Sequence, residues 1–208
     1  MYIDKYTSRC KIFEQVPAGS IVLEIGCGSG RLANILTIWK KCRVYCVDKD
    51  PIISSFAKGK CLEVLNIDIE NTDLPYEKGV FDCIIIGNVL EHMIEPLQVL
   101  TRLKKYLKKD GLLIYSVPSI VNWHSRLTIC LGKFEYEDGT VFERTHLRFF
   151  TLRSAKNLAL DSGYHIILLD VTPSIYLYRE KLNFLWYWMA KGWKNLFADE
   201  FIIIAKKG

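Results

Sequence analysis

No stretch of the 208 residues approaches the roughly 20 uninterrupted apolar positions that a membrane-spanning helix needs. The start, Met1-Tyr2-Ile3-Asp4-Lys5, lacks the apolar core of a secretory signal, so neither membrane insertion nor export by the usual route is expected. Repeats, low-complexity tracts and Pro-, Gly- or Ser-rich linkers are also missing, and a single domain over 1–208 is the expectation. The seven cysteines, at positions 10, 27, 42, 46, 61, 83 and 130, include no Cys-x-x-Cys pair and lie mostly inside apolar runs. That pattern excludes a zinc framework and matches reduced, cytoplasmic thiols; no metal is expected. Charge of either sign is scarcely in excess, at +5 overall. Lys104, Lys105, Lys108 and Lys109 supply much of it near one helix end, where cations complement the helix dipole, so no nucleic-acid partner is expected.

What is present is an alternation. Short β-rich apolar runs at 21–25, 43–47, 61–67, 81–86 and 111–117 are separated by helix-like stretches, of which 31–40 and 95–108 carry helical spacing. Such alternation predicts a parallel sheet with helices on both faces. Thr151 reads as the N-cap of a helix to Asp161, Gly163 as its stop, and 164–171 and 201–205 as two last strands forming an antiparallel pair at the edge. Residues 119–150 follow neither period; an insertion placed after a strand's carboxyl end commonly covers a binding site.

The apolar run Val22-Leu23-Glu24-Ile25 stops at Gly26-Cys27-Gly28-Ser29-Gly30. Alternating glycines at a strand end let the backbone turn sharply and approach a ligand closely, which predicts a nucleoside-binding turn. Dinucleotide sites space their glycines Gly-x-Gly-x-x-Gly, and here the third glycine comes one residue early. Strand two ends at Asp48, about twenty residues beyond the turn, where a carboxylate can accept from both ribose hydroxyls. Strand three is followed by Asp68, placed to accept from an adenine amino group, and strand four by Gly87-Asn88-Val89-Leu90-Glu91-His92. The bland alternative for Asp48 is a helix cap ahead of Pro51. Glu24, on an otherwise apolar strand, has to be hydrogen-bonded or paired, and bracing the glycine loop is one way to satisfy it.

These motifs, Val22 to Gly30, Asp48, Asp68 and Phe81 to His92, resemble those of class I S-adenosylmethionine-dependent methyltransferases. The Val-Leu-Glu-His motif is similar to that of small-molecule enzymes such as the quinone-biosynthesis methyltransferases. Further on, Ser116-Val117-Pro118-Ser119 to Asn122-Trp123, Gly132 to Tyr136 and Arg144 to Thr151 resemble bacterial methyltransferases associated with surface-glycan synthesis, in which Ser119 is commonly asparagine. The resemblance implies a Rossmann-like α/β fold with a seven-stranded, mostly parallel sheet of order 3-2-1-4-5-7-6, and an acceptor-side insertion at 119–150 after strand five. It implies S-adenosylmethionine as cofactor: Gly26, Gly28 and Gly30 beside the methionyl part and ribose, Asp48 on the ribose, Asp68 and Ile69 on adenine, and Asn88, Val89 and Leu90 as the opposite wall. Glu24, Cys27 and Lys49 belong to the same expected set. The implied reaction is methyl transfer to a hydroxyl of a sugar or lipid-linked saccharide. Another small molecule such as a quinone precursor, a non-catalytic partner in glycan assembly and a nicotinamide-dependent dehydrogenase stand as alternatives, the last opposed by the glycine spacing and Asp68.

A sugar hydroxyl is a weak nucleophile unless its proton leaves as the bond forms, and histidine is the natural acceptor near neutrality. His146 is the first candidate, then His92 and His124, whereas His165 reads as a sheet-surface residue. Arg126, Arg144 and Arg148 would suit an acceptor bearing phosphate or carboxylate, although Glu135, Glu137, Asp138 and Glu143 crowd the same loop. In segment 181–197, helical spacing puts Leu182, Leu185, Trp186, Met189, Trp193 and Leu196 on one face, expected to pack on the core. Phe184, Tyr187 and Trp188 would then project outward near Lys191 and Lys194, suited to the bilayer boundary, a homodimer contact or cover by the insertion. The expected location is the cytoplasm, including its membrane surface.

Overall fold

A computed structural model of the chain describes residues 5–174 and 180–208, with side chains of 180–182 outside that description. Seven strands, β1 (Ile21–Ile25), β2 (Arg43–Asp48), β3 (Glu63–Asn66), β4 (Phe81–Gly87), β5 (Leu107–Pro118), β6 (Tyr164–Pro173) and β7 (Ala198–Lys207), form one sheet. Its order is β3-β2-β1-β4-β5-β7-β6, as expected. The first five strands run parallel, and β7 runs antiparallel to both β5 and β6. Central β4 buries Cys83, Ile84, Ile85 and Ile86 completely, the continuous apolar run that a strand covered on both faces requires.

The helices are α1 (Ser8–Gln15), α2 (Arg31–Lys40), α3 (Pro51–Ser55), α4 (Pro96–Leu103), α5 (Trp123–Cys130), α6 (Leu152–Asp161), α7 (Glu180–Gly192) and α8 (Lys194–Phe197). On one face Ile12 and Val16, at the end of α1, pack with Leu32, Ile35 and Leu36 of α2 against Val22, Val44, Cys83 and Ile85. On the other, Val99, Leu100 and Leu103 of α4 and Ala155, Leu158 and Ala159 of α6 pack on Leu23, Ile84, Ile86 and Tyr115. Thr151 caps α6 in a reciprocal pair with Ser154, and Gly163 ends the turn after it at φ +76°.

Three expectations are corrected. The helix expected over 95–108 ends at Leu103, and β5 begins at Leu107 rather than Gly111, because Leu107 pairs with Phe81 across a bulge in the ladder. Within the irregular insertion, Asn122 accepts from the Ser125 amide and caps helix α5, which the period did not reveal. On α7 the packed face includes Asn183, Tyr187 and Ala190, whereas Leu185 and Trp193, expected inside, are exposed. Leu182 lies outside the described side chains. The cause is polar: Lys11 and Asp170 form a buried ion pair at 2.8 Å, and Tyr187 completes it by donating its hydroxyl to Asp170 at 2.9 Å, its ring centroid 3.8 Å from Lys11 Nζ. Satisfying that pair outweighs burying one more leucine. Among the described residues, no helix is long and apolar enough to cross a membrane.

Candidate active site

The glycine turn leaves β1 with Gly26 at φ +71°, Gly28 at +52° and Gly30 at +70°, backbone that side chains resist. Asp48, at the end of β2, holds it: Oδ2 accepts from the Gly28 amide at 2.8 Å and Oδ1 from the Asp50 amide at 3.0 Å. The helix cap ahead of Pro51 is Asp50, not Asp48. A cavity of about 340 Å3 opens beyond these strand ends, lined by Gly26, Asp48, Lys49, Asp68, Ile69, Val89 and His92 among others. Gly26 also lines a second cavity of about 310 Å3, with Arg9, Glu24, Cys27, Gly28, Arg31, Asn88 and Ser116.

Glu24 is only 6% exposed, and its Oε2 has no hydrogen-bond partner. Burial pushes its carboxyl up to about 8. Asp48 brackets the glycine turn, and Glu24 keeps one oxygen, Oε2, unsatisfied beside the second cavity.

A third cavity, about 920 Å3, lies beneath the insertion, and Asn88 and His92 are its links to the other two. Asn88 is fixed at φ +52°, accepting from Ser116 Oγ at 2.8 Å and donating to Glu200 at 2.5 Å. The insertion is strapped to the turn after β4: the Leu147 and Arg148 amides donate to the Glu91 carbonyl at 2.8 and 3.0 Å. His92 Nδ1 bonds the Thr145 carbonyl at 3.1 Å, and His146 Nδ1 bonds the Val141 carbonyl at 2.9 Å. As a result the two imidazoles lie 4.7 Å apart between ring centroids. Desolvation lowers the His92 pKa below its usual value. Glu91, 1% exposed with Oε2 unpaired, is pushed up to about 8 by burial.

A family model described as a methyltransferase domain matches residues 5–169. The chain belongs to that family. Solved S-adenosylmethionine-dependent methyltransferases share its fold. A solved methyltransferase from Thermotoga maritima, named as a possible histamine N-methyltransferase, superposes with a TM-score of 0.70 over 98% of this chain and 89% of its own, at 18% identity. Among curated relatives, the (S)-coclaurine N-methyltransferase of Papaver somniferum is 31% identical over 53% of this chain and 32% of its own. The mitochondrial ubiquinone biosynthesis O-methyltransferase of Schizosaccharomyces pombe is 27% identical over 72% of this chain and 56% of its own. The chain spans about a third to a little over half the length of the curated relatives it matches. The cofactor of this family is S-adenosylmethionine.

In the methyltransferase, two residues expected at the cofactor line none of the three cavities. Gly30 begins α2, and a Cβ there would lie 2.8 Å from Ala57 Cβ; its glycine serves packing. Leu90 is fully buried in the core beneath the turn. The arginines expected to meet an acceptor are struts. Arg126 donates to the Val121 carbonyl at 2.7 Å, Arg144 stacks on Tyr136 at 5.3 Å, and Arg148 clamps the strap through the Ile94 carbonyl and Glu95. A guanidinium fork satisfies loop carbonyls as readily as phosphate, and only position tells these apart. Ser119 is fully buried and lines none of the three cavities, and His165 is an exposed residue of β6.

Other residues escaped sequence reading. Arg9 and Arg31 bring positive charge to the second cavity from helices α1 and α2. Around the third, Glu91, Asp199 and Glu200 join the expected Glu135, Glu137 and Glu143, facing one lysine among the described residues, Lys133, while His124 of α5 joins His92 and His146. Burial, with Glu200 adding, pushes Asp199 up to about 6. Ser125 and Ser174, also on this wall, each have a buried hydroxyl without a partner.

Proposed function

We propose that this chain transfers the methyl group of S-adenosylmethionine to a hydroxyl of an uncharged, hydroxyl-rich small molecule of the saccharide class. One observation carries the reading: Glu91, Ser125 and Ser174, each with a buried side-chain oxygen that has no hydrogen-bond partner, are residues of the wall of one cavity large enough for a sugar unit. Buried polar atoms left without partners cost about 1–3 kcal/mol each, which a polyol repays by supplying them. The acidic wall suits hydroxyl donors and repels the anionic acceptor that the arginines suggested.

The residues present fit the cofactor. Glu24, buried with its Oε2 unpaired, meets an ammonium group; Arg9 and Arg31 meet a carboxylate; Asp48 and Asp68 meet ribose and adenine. When bound, S-adenosylmethionine supplies a methyl group already activated on sulfonium. The protein's own work is then to position the acceptor, exclude water and remove a proton. The imidazoles of His92, at the link between cofactor and acceptor cavities, and of His146 beside it serve that last task.

Asp48→Ala removes two backbone brackets and a ribose partner, and is expected to weaken cofactor binding by about 100-fold or more in calorimetry. His146→Ala is expected to leave that affinity within about twofold while lowering single-turnover methyl transfer roughly 100-fold. Radiolabelled methyl transfer into a lipid-linked saccharide pool reads the second effect; normal turnover removes His146 from the mechanism.

A second reading, methylation of an amine, draws on the same acidic wall, since carboxylates also attract a cationic acceptor. An N-methyl rather than O-methyl product in mass spectrometry would select it.

For an acceptor carried on lipid, exposed Phe184, Leu185, Trp188 and Trp193 beside Lys191 form the membrane-facing surface. Each large side chain contributes roughly tenfold to partitioning. Binding to anionic vesicles should therefore fall about 100-fold in the Phe184→Ala, Trp188→Ala double variant; unchanged or absent vesicle binding discards the surface.

A further inference from the structure

Glu91, His92 and His146 each offer one ligand atom, and these atoms lie within 4.8 Å of one another, the one such cluster among the described residues. Both histidines use Nδ1 on a backbone carbonyl, at 3.1 Å for His92 and 2.9 Å for His146. A carbonyl can only accept, so each Nδ1 carries a proton and Nε2 is the nitrogen open to a metal ion. Carbonyl-oriented imidazoles of that tautomer are the usual arrangement of metal-ligating histidines. The third member is independent of this: Glu91 is 1% exposed, lines the acceptor cavity, and its Oε2 has no hydrogen-bond partner. Relative placement is held by the main chain, through the Leu147 and Arg148 amides on the Glu91 carbonyl.

We propose that Glu91, His92 and His146 bind a divalent transition cation facing the acceptor cavity. Two imidazole nitrogens and one carboxylate leave coordination positions open, the donor set of catalytic rather than structural sites, and favour Zn2+ or Mn2+ over Mg2+. Coordination requires the three atoms to close to about 2.0–2.2 Å from a common point. The role rests on the proposed hydroxyl acceptor and replaces the imidazoles as proton acceptors, since their Nε2 lone pairs would be on the cation: an acceptor oxygen at an open position would lose its proton to water at the cavity mouth near neutral pH. Cation binding itself does not depend on that reading.

The test is isothermal titration of the whole chain, stripped with chelator, with Zn2+ and separately with Mn2+. One site per chain is expected, weakened at least the roughly 10–100-fold that loss of even an outer partner costs in His146→Ala and in Glu91→Gln, and unchanged in His165→Ala. Where a variant fails to fold, paramagnetic broadening by Mn2+ in the unaltered protein decides: the His92 and His146 ring signals should broaden before that of His165. Absence of wild-type binding below about 1 mM, or binding indifferent to both substitutions, overturns the site; a cation bound without any hydroxyl methylation overturns only the proposed acceptor.

Discussion

Gly26→Ala is expected to abolish cofactor binding and to cost a large part of the stability of the fold. The residue sits at φ +71°, and a Cβ built on it would overlap the Val89 side chain. Left-handed backbone on a residue with a Cβ costs on the order of 1–3 kcal/mol, and overpacking a tight contact typically another 1–3. Against a total stability of about 5–15 kcal/mol, that is a major loss. Function suffers separately, because Val89 and Gly26 both line the nucleoside-side cavity and the displaced side chain moves into it. Urea denaturation and calorimetry with S-adenosylmethionine measure the two effects. Adding Val89→Ala should recover the overlap but not the backbone strain, so the double variant should lie between the single variant and wild type. Equal stability of Gly26→Ala and wild type would refute the account.

Glu24→Gln is expected to stabilise the protein without cofactor at alkaline pH while weakening cofactor binding. In the folded chain burial raises this carboxyl from 4.5 to about 8, so the folded state keeps a proton that the unfolded state releases. Stability therefore falls as pH rises through that window, by about 1.4 kcal/mol per pH step from this group alone. Glutamine has no proton to lose, so melting temperatures of the variant should decline less between pH 5 and 8 than those of wild type. The cost should appear on binding, where losing a charged hydrogen bond to an ammonium group is worth about 1.5–3 kcal/mol, or roughly 10–100-fold. Pairing also forces Glu24 to ionise. At pH 7 cofactor binding should release nearly one proton from wild type and none through this site in the variant, measured by calorimetry in buffers of different ionisation heat. Identical proton release in both would mean that Glu24 does not meet the ammonium group.

Much of the cofactor side was legible because it is local. Gly26 and Gly28 end an apolar run, Asp48 and Asp68 follow the next two strands, and in a parallel sheet such residues share one edge. Gly30 and Leu90 misled for a related reason: motif membership does not separate a residue that faces the cavity from its neighbour that supports it. One packs on Ala57 and the other is buried in the core. Arg9 and Arg31 were missed because charge on two separate helices carries no local sign of the cavity that they share.

On the acceptor side little was legible. Histidines 92, 124 and 146, singled out as candidate bases, line one cavity, but the candidate arginines are occupied by carbonyls and an aromatic ring. The sequence by itself determined the sheet, its order through family likeness, and the nucleoside-binding turn, because hydrophobic period and glycine spacing act over a few residues. Only the tertiary structure decided which carboxylates are left unpaired and which imidazoles converge. Those outcomes depend on backbone hydrogen bonds between the turn after β4 and the returning end of the insertion, and no residue type encodes its distant partner.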